Sequence, residues 1–136
     1  MTLSRGLRNN NPGNIRTSSD EFEGEVRPSQ DRSFKQFSSM PYGYRAMFVI
    51  MAAYLAKGYD TIEKIIGRWA PSSENPTGSY ISIVCRLSGI PQNKLLTNTS
   101  GSDYIKIVAA MSYIENTTPA VMSDVEAGFN LQDKIS

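Results

Sequence analysis

The chain has 136 residues, 40% of them hydrophobic and 20% charged, with a formal net charge of +1. That length suits a single domain with a real core, and the near-neutral balance asks for no polyanionic partner such as nucleic acid. The sequence has no histidine and one cysteine, which excludes Ser-His-Asp and Cys-His catalysis, the usual zinc ligand sets and an intrachain disulfide.

The opening residues, Met1 to Gly6, lead into polar sequence rather than an apolar leader, so no signal peptide is expected. No run approaches the length of a membrane helix. From Arg5 to Arg16 the chain reads as turn chemistry, with Asn9-Asn10-Asn11 followed by Pro12-Gly13-Asn14. Ile15 to Phe37 is polar with scattered apolar residues and is expected to be a loop with one short hairpin. Its acidic stretch, Asp20, Glu21, Glu23 and Glu25, reads first as a solvated face.

Helices follow. Pro41 to Lys57 carries Tyr44, Met47, Phe48, Met51, Tyr54 and Leu55 at helical spacing, and Gly58 closes it. Asp60-Thr61-Ile62-Glu63 has the form of a capping box, opening a helix with Ile62, Ile65, Ile66 and Trp69 on one face and Pro71 at its end. A polar loop containing Glu74 and Asn75 leads to a helix from about Gly78 to Ser88, with Ile81, Val84, Cys85 and Leu87 inward. Cys85 reads as a buried inert thiol. Thr118-Pro119 supplies a cap and first-turn proline for a last short helix ending near Gly128. The expected fold is mainly α, with a loop and hairpin corner over residues 1–37 and a helical part over 41–128, forming one domain over 1–136.

The helix from Tyr104 to Glu115 is the most informative. At roughly 100° per residue, Tyr104, Val108 and Met111 fall within about 40° of Glu115 around the axis. The stripe that should face the core therefore ends in an acid, and Asn116-Thr117-Thr118-Pro119 breaks the helix just beyond it. A carboxyl group on an apolar face at the negative end of a helix is the kind that proteins keep for general-acid work. The plainer reading is a last-turn surface glutamate.

Several motifs bear on that choice. Asn11-Pro12-Gly13-Asn14-Ile15-Arg16, the Phe34 to Phe37 pair with Gly43 and Arg45-Ala46, Arg68-Trp69-Ala70-Pro71 with Glu74-Asn75, and Tyr80-Ile81 with Val84 together resemble small phage and prophage proteins of the lysozyme-like superfamily, often labelled virion structural proteins. More distantly, they are similar to soluble lytic transglycosylases and bacterial glucosaminidases. In those, the helix with the catalytic glutamate precedes a loop like Pro12 to Ile15. Here the matching acid helix would be the one ending at Glu115, so a circularly permuted order is one form the resemblance takes. Relatives tend to have glycine where Thr117 stands.

The resemblance implies a peptidoglycan-cleaving glycosidase, a lytic transglycosylase or muramidase, with one glutamate as general acid and base. It implies Glu115 as the catalytic acid with Glu74 in reserve, and Tyr80 as a hydrogen-bond donor beside it. Asn14, Asn75, Asn11 and Gln36 are the candidate substrate contacts. Asn14 equally suits a turn and Tyr80 a core position. The acidic stretch at Asp20 to Glu25 lies where an ordinary lysozyme has a second carboxylate. No cofactor and no metal is called for. Expected partners are peptidoglycan glycan strands and phage virion proteins, with no nucleic acid and no membrane insertion. The expected location is the virion, or the periplasm and cell wall reached from the cytoplasm by another route. The alternatives are a non-catalytic virion structural or cell-wall-glycan-binding protein on the same fold, and an unrelated helical adaptor.

Overall fold

Residues 40–56 form the helix that their apolar period predicts. In the computed structural model, which describes residues 3–73 and 76–136, this helix is α2 (Met40–Ala56), with α1 (Arg5–Arg8) before it. Its proline lies in the first turn, where no N–H is needed. Tyr44, Met47, Phe48 and Met51 point inward and are buried. The remaining helices are α3 (Ile62–Trp69), α4 (Thr77–Ser88), α5 (Gly101–Asn116) and α6 (Met122–Asn130). Helix α6 lies along α2, where the Phe129 ring meets the Phe48 ring edge-on at 5.2 Å. Helix α4 packs on α5 and α3 on α4, and Ile62, Ile65, Ile66, Val84, Tyr104, Ile107, Val108 and Met111 complete one core. The Tyr44 hydroxyl and Ser112 Oγ, 2.8 Å apart, give α2 and α5 a buried polar contact within that core.

The loop corner holds two two-residue strands, β1 (Glu25–Val26) and β2 (Gln36–Phe37). They are antiparallel, with Glu25 opposite Phe37 and Val26 opposite Gln36. A single bridge between Arg16 and Phe34 extends the corner towards the start of the chain. The fold is thus mainly helical with one small sheet. No helix among the described residues is long and apolar enough to cross a membrane.

Four local expectations need correction. Residues 5–8 form a helical turn capped by the Ser4 hydroxyl rather than plain turn structure. The cap of α3 is Thr61, whose hydroxyl accepts from Lys64 N at 3.2 Å, while Asp60 meets Lys64 Nζ instead. In α4 the buried face is Tyr80 and Val84, and Leu87 is 48% exposed. Helix α6 begins at Met122, because Thr118 turns back onto the Asn116 carbonyl instead of capping forward.

The corner combines the buried Phe37 ring with a buried ion pair. Lys35 is buried, and its ammonium donates to both Glu25 carboxylate oxygens at 3.1 Å and to the Asp20 carbonyl at 2.7 Å. The Glu25 side chain is 5% exposed and also pairs with Arg27 at 3.0 Å. Glu25 is therefore not part of a solvated face. Burial raises its pKa, but the Phe22 N–H, Lys35 and Arg27 outweigh burial and the net shift is downward. A lowered folded value means that stability from this pair is present above the unfolded carboxylate value of about 4.3. It is lost as pH falls through the folded value. Chemical denaturation followed from pH 7 to pH 3 should show that loss in the wild type. Glu25→Gln, which strands a buried Lys35, should cost about 3–5 kcal/mol at pH 7 and flatten the acid dependence.

Candidate functional site

The site begins where the end of α5 meets the loop after α1. Asn116, the last residue of α5, is buried, and its amide donates to the Pro12 carbonyl at 2.8 Å and to the Ser112 carbonyl at 3.0 Å. Its Oδ1 accepts from the Ser4 hydroxyl at 2.7 Å. A side chain at Gly6 would collide with Asn116 Oδ1 and would lie 2.7 Å from the Asn11 carbonyl, so only glycine lets α1 come this close. The joint carries Asn14 to the face of the preceding residue, Glu115.

Glu115 is half-buried, and both of its carboxylate oxygens have donors. The Tyr80 hydroxyl donates to Oε2 at 2.8 Å, and Asn14 Nδ2 to Oε1 at 3.1 Å. The acid therefore meets two polar groups, not the wholly apolar surroundings that the stripe on its helix suggests. Asn14 adopts a positive φ of 49°, which asparagine tolerates better than most residues. Tyr80 is 6% exposed and approaches the carboxylate from the core side. Burial first, then the charge and hydrogen bond of Glu115, push the phenol pKa up, with only Trp69 opposing. The hydroxyl accordingly keeps its proton and acts as a donor throughout the neutral range.

Beside Glu115 lies a groove of about 430 Å³. The loop supplies Gly13, Asn14, Ile15 and Arg16, the hairpin corner Phe34, α2 Ile50 and Tyr54, and α3 with its following turn Arg68 to Pro71. A Cβ on Gly13 would lie 3.0 Å from the Trp69 ring, so the bare glycine backbone lets the indole rest on the loop. Glu115 is the one acid among the described residues lining this groove.

Of the residues singled out in the sequence, Glu115, Tyr80 and Asn14 come together. Asn11 does not face the groove: fully buried, it spends its amide on the Ile15 and Lys35 carbonyls and its Oδ1 on Ile15 N, closing the loop on itself. Gln36 lies in a separate depression with Arg5 and Arg8 and accepts from Gln30 N at 3.0 Å. Glu74 and Asn75 fall outside the described residues. Glu23 pairs with Arg45 at 3.3 Å, so neither it nor Glu25 offers a second acid to the groove. Trp69, Tyr54, Phe34, Arg16 and Arg68 were not claimed for a site from sequence; the signal available was Trp69 in the last turn before Ala70-Pro71.

No protein-family model matches the chain. It is 40% identical over 131 residues to Protein P5 of Pseudoalteromonas phage PM2, an alignment covering 93% of this chain and 80% of that protein. The chain therefore belongs to the family of this phage protein.

Two substitutions test the joint. Asn116→Ala removes the acceptor of the Ser4 hydroxyl proton and the donor to the Pro12 carbonyl, and should lower stability by about 1–3 kcal/mol in denaturant titration. Thr117 takes a φ of 50° as the cap of α5, a left-handed conformation unfavourable for a β-branched residue. Thr117→Gly should raise stability by up to about 1 kcal/mol, the released strain being partly offset by the extra freedom of glycine in the unfolded chain.

Proposed function

We propose that this member of the Protein P5 family is a peptidoglycan-cleaving glycosidase, lysozyme-like in architecture, with Glu115 as its general acid and base. The observation that carries the reading is the Glu115 carboxylate at the wall of a groove, held by Tyr80 at 2.8 Å and Asn14 at 3.1 Å. A permuted lysozyme-like order accounts for an acid helix late in the chain serving a loop near its start. Glu115 and Asn14 are 101 positions apart in sequence. The groove, with Glu115 as the one acid among its described residues and Trp69, Tyr54 and Phe34 as aromatic lining, suits a sugar strand.

Breaking a glycosidic bond needs a proton on the leaving oxygen while positive charge builds at the anomeric carbon. Protonated Glu115 donates that proton, and Oε1, shared with groove-lining Asn14, is the oxygen assigned to it. The resulting carboxylate then takes a proton from the group that attacks the anomeric carbon. If water attacks, the product is a reducing end and the enzyme is a muramidase. If the C6 hydroxyl of the same muramyl residue attacks, an anhydro ring closes and the enzyme is a lytic transglycosylase. Tyr80 fixes the carboxylate from behind in both routes. With no second acid among the described residues of the groove, the transglycosylase route needs the fewer additional groups.

The runner-up is a non-catalytic glycan-binding or virion structural protein. It is favoured by one feature, the engagement of both Glu115 oxygens by donors.

Glu115→Gln keeps the shape and removes the proton. Turbidity loss on purified peptidoglycan should slow by at least about 100-fold, with stability nearly unchanged. Tyr80→Phe should cost less, and Glu74→Gln should leave the rate close to wild type. Mass spectrometry of the digest separates the two routes, since an anhydromuramyl end is one water lighter than a reducing end. A wild-type protein that sediments with cell walls without cleaving them establishes the binding reading. Unchanged digestion by Glu115→Gln removes it as the general acid.

A further inference from the structure

We propose that the groove selects glycan strands that carry carboxylates, and that Arg16 and Arg68 in its lining read those carboxylates. The inference rests on the reading of the groove as a glycan-strand site. Among the described residues its walls carry one acid, Glu115, and two guanidinium groups, those of Arg16 and Arg68. The ion pairs of the described residues use Arg5, Arg27, Lys35, Arg45, Lys64 and Lys94. Neither groove arginine meets a carboxylate among the described residues, and both are exposed.

Arg16 is held in place without having its charge neutralised. Its guanidinium lies 5.2 Å from the Phe34 ring centroid, and its backbone bridges to Phe34. The same ring takes the Arg5 guanidinium at 4.6 Å, and Arg5 is fixed by Asp31 through bonds of 2.6 and 2.8 Å. Asp31 in turn accepts from the Phe34 N–H, which closes the circuit. Stacking on an aromatic face orients a guanidinium while leaving its N–H donors available. Arg68 lines the same groove from the last turn of α3, beside Trp69.

A strand made only of N-acetylglucosamine offers these cations nothing beyond neutral hydroxyls and amides. A muramyl strand offers a lactyl carboxylate where the stem peptide has been removed, and peptide carboxylates where it has not. Either matches the planar fork of arginine in a two-bond contact. Charge on the ligand, not sugar stacking alone, then decides which glycan occupies the groove.

The test measures binding to full-length Glu115→Gln protein by calorimetry at low and high salt. The probes are peptide-bearing muramyl oligosaccharides, amidase-stripped oligosaccharides with free lactyl groups, either ligand after its carboxylates are coupled to glycinamide, and chitotetraose. Carboxylate-bearing probes should bind about tenfold tighter than their amidated forms or chitotetraose, and the advantage should shrink with salt. Arg16→Gln and Arg68→Gln should each weaken that binding about threefold to tenfold and leave chitotetraose unchanged. Whichever of the stripped and peptide-bearing probes keeps the advantage identifies the carboxylate read. Equal binding of charged and neutral probes, or arginine variants indistinguishable from the parent, overturns the proposal. Failure of the glycosidase reading looks different: the wild type would cleave no strand while carboxylate-dependent binding through the two arginines persisted.

Discussion

The arrangement of the site depends on one side chain amide, that of Asn116. It joins two segments that sequence places far apart, with Ser4 and Pro12 on one side and the end of α5 on the other. Its donors and its acceptor are all used, so the joint has one geometry. A buried amide satisfied at both ends specifies position more sharply than an apolar contact of the same area, because any shift leaves a polar group unpaired. Gly6 contributes by having no side chain where the two backbones approach. The consequence is local and chemical: Asn14 is delivered to Glu115, which follows from where Pro12 is pinned.

Tyr80 reaches the same carboxylate by a different route. It belongs to the apolar core, on the face of α4 that packs against α5, and only its hydroxyl emerges at the acid. Glu115 is thus held from one side by a polar loop and from the other by the hydrophobic core. Beside the buried Phe37, the loop corner relies on Glu25 with Lys35, and on Asp31 with Arg5 and Asn9. Such networks rigidify when every member is satisfied. They give the groove a firm wall at Phe34 and Arg16 in a region with only two short strands.

The sequence reveals what is periodic and conceals what is paired over distance. Helices α2 to α5 follow from apolar spacing, and the stripe of Tyr104, Val108 and Met111 is buried as the wheel predicts. Cap positions were less legible: Asp60 and Thr61 are both good caps, and Thr118 has a bond to the Asn116 carbonyl that competes with capping. The acidic run at 20–25 reads as solvent-facing because nothing local announces that Lys35 will be buried against it. Asn11 and Asn14 look equivalent in the loop. They part only in space, since Asn11 can satisfy itself on Ile15 and Lys35 whereas Asn14 Nδ2 has Glu115 within reach. The conjunction of Glu115, Tyr80 and Asn14 came from resemblance rather than from period or composition, because no local rule links residues 35 and 101 positions apart.

The charges of the groove also bear on the chemistry. Two acids of the 20–25 stretch are engaged elsewhere, Glu25 with Lys35 and Arg27, and Glu23 with Arg45. Two cations without acidic partners among the described residues stand in the groove with Glu115. A second carboxylate placed there would be drawn to Arg16 or Arg68 before it could serve a sugar. Under the proposed glycosidase reading, these walls favour a mechanism with one acid and the stabilising group supplied from within the substrate. Under that reading, the same arginines would make an anionic muramyl strand a favourable occupant. Substrate choice and reaction route would then be two consequences of one charge distribution.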